Sequence, residues 1–318
     1  MRKLSVLLIA SFVTSVISCK KEVPTTVTNE TTPNAASIES ITSDQLVSSG
    51  TQFGAGGFPG LSTDQKITVY NKLGVTPVRA QVTLKDFNGG VSGLKKLTEK
   101  GFKVILNLNW NPVPKKSGDK IATAWPQDMN LYKQKLGEVL SKYKPEIAVI
   151  ENEPTVDIFH SGPIEDYITE LTNAIEVCKK YGVKVADGCV HVGLVLGVMR
   201  GGNLNDNEIE VKKLITAYKT LDLDYVNVHE HGTGDSYSSE SFEKAADYLR
   251  QQTGKPVISN EFSLGKSSTS LLQDMINGLK QGDYTIALIR SSDGDRGVPL
   301  NKGTDLLPLG NTYGDMIK

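Results

Sequence analysis

Eight short apolar runs, rich in valine and isoleucine, alternate with amphipathic stretches between residues 51 and 292. A short apolar run predicts a β-strand, and apolar residues three or four positions apart predict an α-helix. Regular alternation of the two predicts parallel strands joined by helices. The strand candidates are TQFGAGGF (51–58), GVTPVRAQVTL (74–84), FKVILNLNW (102–110), IAVIENEP (147–154), VKVADGCV (183–190), DYVNVHEHG (224–232), KPVISNEFSLG (255–265) and YTIALIRSS (284–292).

Eight units of this length favour an α/β fold closed into a (β/α)8, or TIM, barrel, with an open doubly wound sheet as the alternative. The glycines between Gly54 and Gly60 lack the spacing of a dinucleotide-binding fingerprint, so we interpret them as turn residues. The intervening stretches predict helices over residues 63–73, 93–100, 130–142, 164–181, 207–220, 241–253 and 267–281.

The first residues, MRKLSVLLIASFVTSVISC, have the layout of a secretory signal, with two basic residues before an apolar run. The run ends at Val16-Ile17-Ser18-Cys19, which resembles a bacterial lipobox. This resemblance implies lipidation of Cys19 and anchoring to a cell-envelope membrane, in the periplasm or at the cell surface. An ordinary cleaved signal with an incidental cysteine is the alternative.

A polar segment over residues 20–49 follows, rich in Thr, Ser, Asn, Glu and Pro and without apolar periodicity. Such a segment buries too little apolar surface to offset the entropy of ordering, so it predicts a disordered tether. The predicted organisation is a lipoprotein signal over 1–19, a tether over 20–49 and one catalytic barrel over 50–318. We expect the chain to be a monomer.

The formal net charge of −1 gives no general attraction to nucleic acid, so we expect no nucleic-acid partner. Cys178 and Cys189 have no metal-type spacing. The sequence leaves open whether they form a disulfide or are two reduced, buried residues.

Polar residues concentrate where the predicted strands end, which is where barrel enzymes carry their active sites. The period of two predicts that Asn107 shares a face with Asn109, and Ser259 with Glu261. The strand-end candidates are Arg79, Gln81, Asn107, Asn109, Glu151, Asn152, Glu153, Asn227, His229, His231, Asn260 and Glu261.

Two of these residues, Glu153 and Glu261, are carboxylates at the ends of apolar strands four and seven. Burying a carboxylate is costly unless it is paired, so the presence of Glu153 and Glu261 at the ends of buried strands predicts a chemical role for both. They are expected to face each other across the barrel mouth. Glu151 is a competing acid, although its place further down the strand favours a structural role.

At these residues the chain resembles the clan A superfamily of retaining (β/α)8 glycoside hydrolases. The acid/base of that clan is commonly the glutamate of an Asn-Glu-Pro ending strand four, matched by Asn152, Glu153 and Pro154. Its nucleophile is a glutamate ending strand seven, matched by Glu261 in PVISNEFS. The resemblance covers nearly the whole chain after the tether.

The resemblance also implies that Arg79 steadies the nucleophile, and that His229, or else His231, contacts it. Asn152 would hydrogen-bond the 2-hydroxyl of the sugar. Arg79 would lower the pKa of Glu261, whereas negative charge and partial burial would raise the pKa of Glu153.

The chain departs from the clan at strand eight, where the usual tryptophan beneath the sugar is missing from YTIALIRSSDGDRG. Arg290, Ser292 or Asp293 would occupy that region. The two tryptophans, Trp110 and Trp125, are candidates for sugar stacking. Asn109 and Trp110 are included among the expected substrate-binding residues.

The sequence thus predicts a retaining glycosidase that cleaves a β-linked poly- or oligosaccharide without a metal or an organic cofactor. Two alternatives stay open. One is a surface lipoprotein that binds glycans on a barrel scaffold without catalysis, and the other is a metal-dependent barrel hydrolase that uses His229 and His231.

Overall fold

The structure is a computed structural model that describes residues 50–112, 123–157, 159–232, 238–292 and 297–318. The predicted signal, the tether and the lipidation site Cys19 lie outside the described residues, as does Asp293. None of the described helices is both long enough and apolar enough to cross a membrane.

The described residues form a parallel barrel, which confirms the predicted (β/α)8 fold. Each strand candidate contains one barrel strand, and the fifth is divided by a short irregular segment. The strands are β1 (Gln52–Gly56), β2 (Pro77–Thr83), β3 (Lys103–Asn109), β4 (Ile147–Ile150), β5 (Lys184–Ala186 and Val190–His191), β6 (Val226–Gly232), β7 (Val257–Leu264) and β8 (Ile286–Arg290).

The divided strand β5 closes the ring. Its first part pairs with β4, and its second part pairs with β6 through Val190 and Val228. A parallel bridge also joins Ala186, in the first part of β5, to Tyr225, the residue before β6. The open-sheet alternative is therefore wrong, because β5 is paired on both sides and the described sheet has no free edge between β4 and β6.

Nine helices are found within the described residues, and seven of them were predicted to within two residues at every end. Capping explains this accuracy: α1 begins at a capping box between Ser62 and Gln65, and Gly74 ends it in the left-handed conformation. The helices are α1 (Thr63–Leu73), α2 (Ser92–Glu99), α3 (Met129–Tyr143), α4 (Ile164–Tyr181), α5 (Val192–Arg200), α6 (Asp206–Tyr218), α7 (Ser239–Thr253), α8 (Thr269–Gln281) and α9 (Pro308–Met316).

Helices α5 and α9 were not predicted. The sequence of α5, VGLVLGVMR, directly follows β5 and is almost wholly apolar, so it lacks the polar face that marks a surface helix. The α9 sequence, PLGNTYGDM, contains two glycines, which lower its helix propensity.

The barrel interior is apolar toward the amino ends of the strands and polar toward their carboxyl ends. A buried cluster separate from the main core lies in the lower layers and is contributed by strands on all sides of the ring. One or two residues further along the same strands, the inward positions turn polar. The members of the apolar cluster are Ile105, Ile147, Val149, Ala186, Tyr225, Ile258, Ile286 and Leu288.

Gly54 and Gly56 lie within β1, so the interpretation of these two as turn residues is wrong. A Cβ at Gly54 would lie 2.1 Å from the carbonyl oxygen of Pro77 and 2.4 Å from Leu288 Cδ2. A Cβ at Gly56 would lie 2.6 Å from Arg79 Cβ. The absent side chains of β1 make room for the neighbouring strands and for Arg79.

Gly54→Ala is expected to lower the free energy of unfolding by at least about 2 kcal/mol, because the added methyl meets a backbone oxygen that cannot rotate away. Urea denaturation followed by circular dichroism measures this change. Gly50→Ala is the matched control, since a Cβ there has no atom within 4 Å. Equal midpoints for the two variants would contradict the close approach at Gly54.

Candidate active site

The upper rim of the barrel holds non-glycine residues with positive φ angles. Glu151 (φ 66°) and Glu153 (φ 49°) follow β4, and Cys189 (φ 99°) lies in the break of β5. The Glu153 N–H donates to the Gly188 carbonyl at 3.0 Å, so the two segments hold each other. Strained backbone of this kind costs free energy and is concentrated at functional sites.

The Glu261 carboxylate lies between two arginines. Arg79 Nη1 on β2 contacts Oε2, and Arg290 Nη1 at the end of β8 donates to Oε1 at 2.5 Å. Burial alone would raise the pKa of Glu261, since the residue is only 3% exposed. Electrostatic interactions with Arg79, His229 and Arg290 outweigh burial and lower its pKa to about 2, so the carboxylate is ionised at neutral pH.

Arg79 is itself held in place by two amide side chains. Its Nε donates to Asn107 Oδ1 at 2.9 Å, and its Nη2 donates to Asn152 Oδ1 at 2.8 Å. The structure therefore brings together Arg79, Asn152 and Glu261, which the sequence had placed in one site. Whether Asn152 also binds a sugar hydroxyl stays a prediction.

An irregularity in β7 brings Glu261 to the mouth. The register of β7 shifts against both neighbouring strands between Ile258 and Phe262. Consecutive residues Asn260 and Glu261 both contact inward side chains, and Ser259 Oγ instead donates to the Glu261 carbonyl. The predicted pairing of Ser259 with Glu261 on one face is therefore wrong, because a bulge interrupts the period of two.

The Glu153 carboxylate is surrounded by imidazoles. His229 Nδ1 lies 2.9 Å and His231 Nε2 lies 3.5 Å from Oε1, while His191 Nε2 lies 3.8 Å from Oε2. His229, the first choice for a contact with Glu261, instead places its two ring nitrogens against Glu153 and Asn260. His231, the other choice, has a ring nitrogen within 4.8 Å of a Glu261 oxygen. The sequence contains four histidines, and the fourth, His160, contacts the Asn152 carbonyl at 3.0 Å.

A chain of amides fixes the tautomer of His229. Asn260 Nδ2 donates to Asn107 Oδ1 at 2.6 Å, so Asn260 Oδ1 is an acceptor; it receives Asn227 Nδ2 at 2.8 Å. His229 Nε2, 2.6 Å from that oxygen, must therefore carry a hydrogen. In neutral His229 the Nδ1 lone pair then faces Glu153, so a proton must lie between these two groups.

The pKa values of Glu153 and His229 are both lowered, so the hydrogen between them is inferred from the geometry alone. Burial opposes ionisation of Glu153, but hydrogen bonds from His191, His229 and His231 lower the pKa of its carboxyl well below the ordinary value. Burial also lowers the pKa of His229. The predicted rise in the pKa of Glu153 is therefore wrong, because the sequence did not show that imidazoles would enclose this carboxyl.

The two carboxylates approach closely. One oxygen of Glu153, one oxygen of Glu261 and a ring nitrogen of His231 all lie within 4.8 Å of one another. Glu153 is 7% and Glu261 3% exposed, whereas the His231 side chain is 27% exposed. The arrangement combines an ionised carboxylate (Glu261), a carboxylate–imidazole pair (Glu153 and His229) with a hydrogen between its members, and a partly open side.

Glu151 lies below the mouth in a separate polar cluster. Its Oε1 accepts from the Trp110 N–H at 2.5 Å and its Oε2 accepts from Asn109 Nδ2 at 3.2 Å. Burial raises the pKa of Glu151 to about 7, and burial beside Glu151 raises the pKa of Glu170 well above its ordinary value. Glu151 thus braces the end of β3 rather than the mouth.

Asn109 and Trp110 were expected to bind substrate, and the structure places both elsewhere. Asn109 is buried and donates to Glu151, and Trp110 is 8% exposed with its ring against Tyr132. Trp125 is also buried, with its ring stacked on His160 at 4.0 Å between centroids. These tryptophans pack the wall of the site and offer little face to a sugar.

Several residues of the site were missed or left open by sequence reasoning. His191 was not among the predicted site residues, because the predicted fifth strand ended one residue before it. Arg290 was one of three residues proposed for the strand-eight region, and its ion pair with Glu261 makes it the relevant one. Cys178 and Cys189 are both free and buried, so the disulfide alternative is wrong.

The arginine contacts of Glu261 predict an acid-sensitive part of the stability. The folded pKa of about 2 lies below the ordinary value of 4.5, so this stabilisation is present above pH 4.5 and is lost as pH falls toward 2. It amounts to about 3 kcal/mol. Urea denaturation of the wild type and of Glu261→Gln between pH 2 and 7 measures it. The difference in free energy of unfolding between the wild type and Glu261→Gln should decrease below pH 4.5. A difference that stays constant with pH would contradict the low pKa of Glu261.

No family model matches the chain, and no curated protein does. Solved structures are similar in fold. A GH30 endoxylanase from Clostridium papyrosolvens is 17% identical, with a TM-score of 0.57 over 84% of this chain and 71% of its own. A GH128 endo-β-1,3-glucanase from Sorangium cellulosum is 13% identical (TM-score 0.55; 83% and 98%). The β-glycosidase of Thermosphaera aggregans is 11% identical (TM-score 0.58; 86% and 96%).

Proposed function

We propose that the protein is a retaining glycoside hydrolase that cleaves a β-linked poly- or oligosaccharide. The observation that carries this proposal is the approach of Glu153 and Glu261 to within 4.8 Å, in surroundings that ionise one and supply a proton to the other. Retaining glycosidases have their two carboxyl groups about 5–5.5 Å apart. The glycosidase names of the solved structures with this fold support the same class.

In the first step, Glu261 attacks the anomeric carbon while the bond to the leaving oxygen breaks. The proton held between Glu153 and His229 passes to that oxygen, which leaves as a hydroxyl. Arg79 and Arg290 keep Glu261 unprotonated, so it is available as a nucleophile at neutral pH. The product of this step is a glycosyl ester of Glu261.

In the second step, Glu153 accepts a proton from water as the water oxygen attacks the anomeric carbon. The ester bond breaks, Glu261 leaves as a carboxylate, and the sugar keeps its original anomeric configuration. The pair of Glu153 and His229 regains the proton that it donated. The two carboxylates suffice for this cycle, and no metal takes part in either step.

The sugar would lie over a polar floor. Arg290 occupies the end of β8, where an aromatic platform is missing, and the partly exposed His231 borders the opening. We propose that hydrogen bonds from Asn152 and His231, more than ring stacking, orient the sugar at the cleavage point. Charged and polar side chains would favour a substrate with many free hydroxyls.

Digestion of a panel of β-linked polysaccharides, with proton NMR of the first product, tests the proposal. We expect reducing ends to accumulate with at least one polysaccharide, and the β-anomer to appear before mutarotation. An α-anomer as the first product would contradict retention, and no product from any member would contradict hydrolysis of this class.

A second candidate is a glycan-binding lipoprotein that does not catalyse hydrolysis, favoured by the missing aromatic platform at β8. Calorimetric titration with the same panel, beside the reducing-sugar assay, separates the two functions. Binding without product would support this candidate, whereas turnover would exclude it.

We also propose that the chain is a lipoprotein anchored through Cys19, on the basis of its lipobox-like sequence. Metabolic labelling with palmitate in a bacterial host tests this. Label should be incorporated into the wild type and lost in Cys19→Ala, and equal labelling of both would contradict the anchor.

A further inference from the structure

Glu153 and His229 share their corner of the barrel with a thiol. One oxygen of Glu153, Sγ of Cys189 and a ring nitrogen of His229 all lie within 4.8 Å of one another, and all three residues are buried. The hydrolytic steps require no thiol. A carboxylate, a thiolate and an imidazole are the ligand types that zinc-class divalent ions take in proteins.

The imidazole is already oriented as a ligand. Its Nε2 hydrogen is held by Asn260 Oδ1, so the Nδ1 lone pair points at Glu153. Metal-binding histidines are typically oriented in this way by an acceptor on their second nitrogen. Two lone-pair groups 2.9 Å apart need a cation between or beside them, and a divalent metal can take the place of the proton.

The thiol is held at the site by its backbone. The Cys189 N–H donates to Asp187 Oδ2 at 3.0 Å, and the residue has a φ of 99°, a conformation that only glycine adopts easily. Cys189 forms no disulfide. A side chain kept in a strained position beside a glutamate and a histidine has a stronger claim to a role than one in a relaxed core.

His191 and His231 lie on the more exposed side of this corner. The side chains of His191 and His231 are 24% and 27% exposed, and both contact Glu153. His231 Nε2 lies 3.5 Å from Glu153 Oε1, which places a further nitrogen donor on the open side. Bond lengths of about 2.0–2.3 Å to a tetrahedral ion require the ligand atoms to move closer together by rotation of their side chains.

We propose that Glu153, Cys189 and His229 bind a divalent metal ion of the zinc class, with His231 on the solvent side. Binding releases the thiol proton of Cys189 and the proton shared by Glu153 and His229. Metal and acid proton therefore exclude each other, so the loaded protein cannot protonate a leaving group. This inhibition rests on the proposed hydrolysis, whereas the binding itself does not.

Cobalt(II) added to metal-free protein tests the binding, because cobalt bound to a thiolate absorbs in the near ultraviolet by sulfur-to-metal charge transfer. We expect the wild type to develop this band at about one equivalent, and zinc to abolish it by displacement. Cys189→Ser should lose the band. Cys178→Ser is the matched control, since Cys178 is the other buried free cysteine and lies on α4, and it should keep the band.

The outcomes decide the proposal without reference to turnover. No band in the folded wild type, or an unchanged band in Cys189→Ser, would overturn the site. Circular dichroism shows whether Cys189→Ser is folded, and equilibrium dialysis of zinc against the wild type gives a second measure of binding, in which the absence of bound zinc would overturn the site. Where turnover is detected, zinc should suppress it at least tenfold in the wild type and a chelator should restore it.

Discussion

Replacing Glu261 with glutamine is expected to lower kcat by about 10⁴-fold or more, because an amide oxygen is a far weaker nucleophile than a carboxylate held ionised by two arginines. The side chain keeps its size, so the barrel should remain folded. Initial rates on the polysaccharide identified by the panel, or on an aryl β-glycoside, measure the loss.

Azide provides a positive test of the same role. In Glu261→Ala the anion can attack the anomeric carbon from the vacated side, which gives a glycosyl azide of inverted configuration. Glu230→Gln is the matched control: Glu230 lies on β6 between two site histidines but is not among the residues that contact the two carboxylates. Activity of Glu261→Gln close to that of Glu230→Gln would refute the assignment of Glu261 as the nucleophile.

Replacing Glu153 with glutamine is expected to lower kcat about 10²–10⁴-fold on natural substrates, because the leaving oxygen then departs without a proton. The loss should shrink on aryl glycosides whose leaving groups are strongly acidic, since these need no protonation. Azide should speed turnover of Glu153→Ala by replacing water in the second step, and the product should keep its configuration. A loss independent of the leaving group would contradict an acid role.

Glu151→Gln separates the two glutamates of strand four. Burial raises the pKa of Glu151 to about 7, so a large fraction of this side chain is protonated near neutral pH and glutamine resembles that form. The variant keeps an oxygen for the Trp110 N–H, and we expect turnover within a few-fold of the wild type. A deficit that depended on the leaving group would instead make Glu151 the acid.

Much of the site could be predicted from the rule that parallel barrels carry chemistry at their carboxyl ends. That rule placed Arg79, Asn152, Glu153 and Glu261 together, and the structure does bring them together. The alternation of a regular strand was enough for β2 and β6. These strands keep their register as far as the mouth.

Sequence reasoning failed where the backbone leaves regular geometry. A bulge in β7 turns Asn260 inward beside Glu261, and the break in β5 brings Cys189 and His191 to Glu153. Neither irregularity has a sequence signature as definite as alternation. The pKa of Glu153 was mispredicted because His229 was expected beside Glu261 rather than Glu153, and because His191 was not placed in the site.

The short segment of β5 both closes the barrel and positions Glu153. The residues that complete the ring between β4 and β6 also receive the N–H of Glu153 through the Gly188 carbonyl. A molecule in which β5 has not yet closed the barrel would therefore lack a correctly oriented proton donor, even with every other strand in place. During refolding, recovery of the proposed hydrolytic activity would report barrel closure, and the circular dichroism signal of the helices would recover before it.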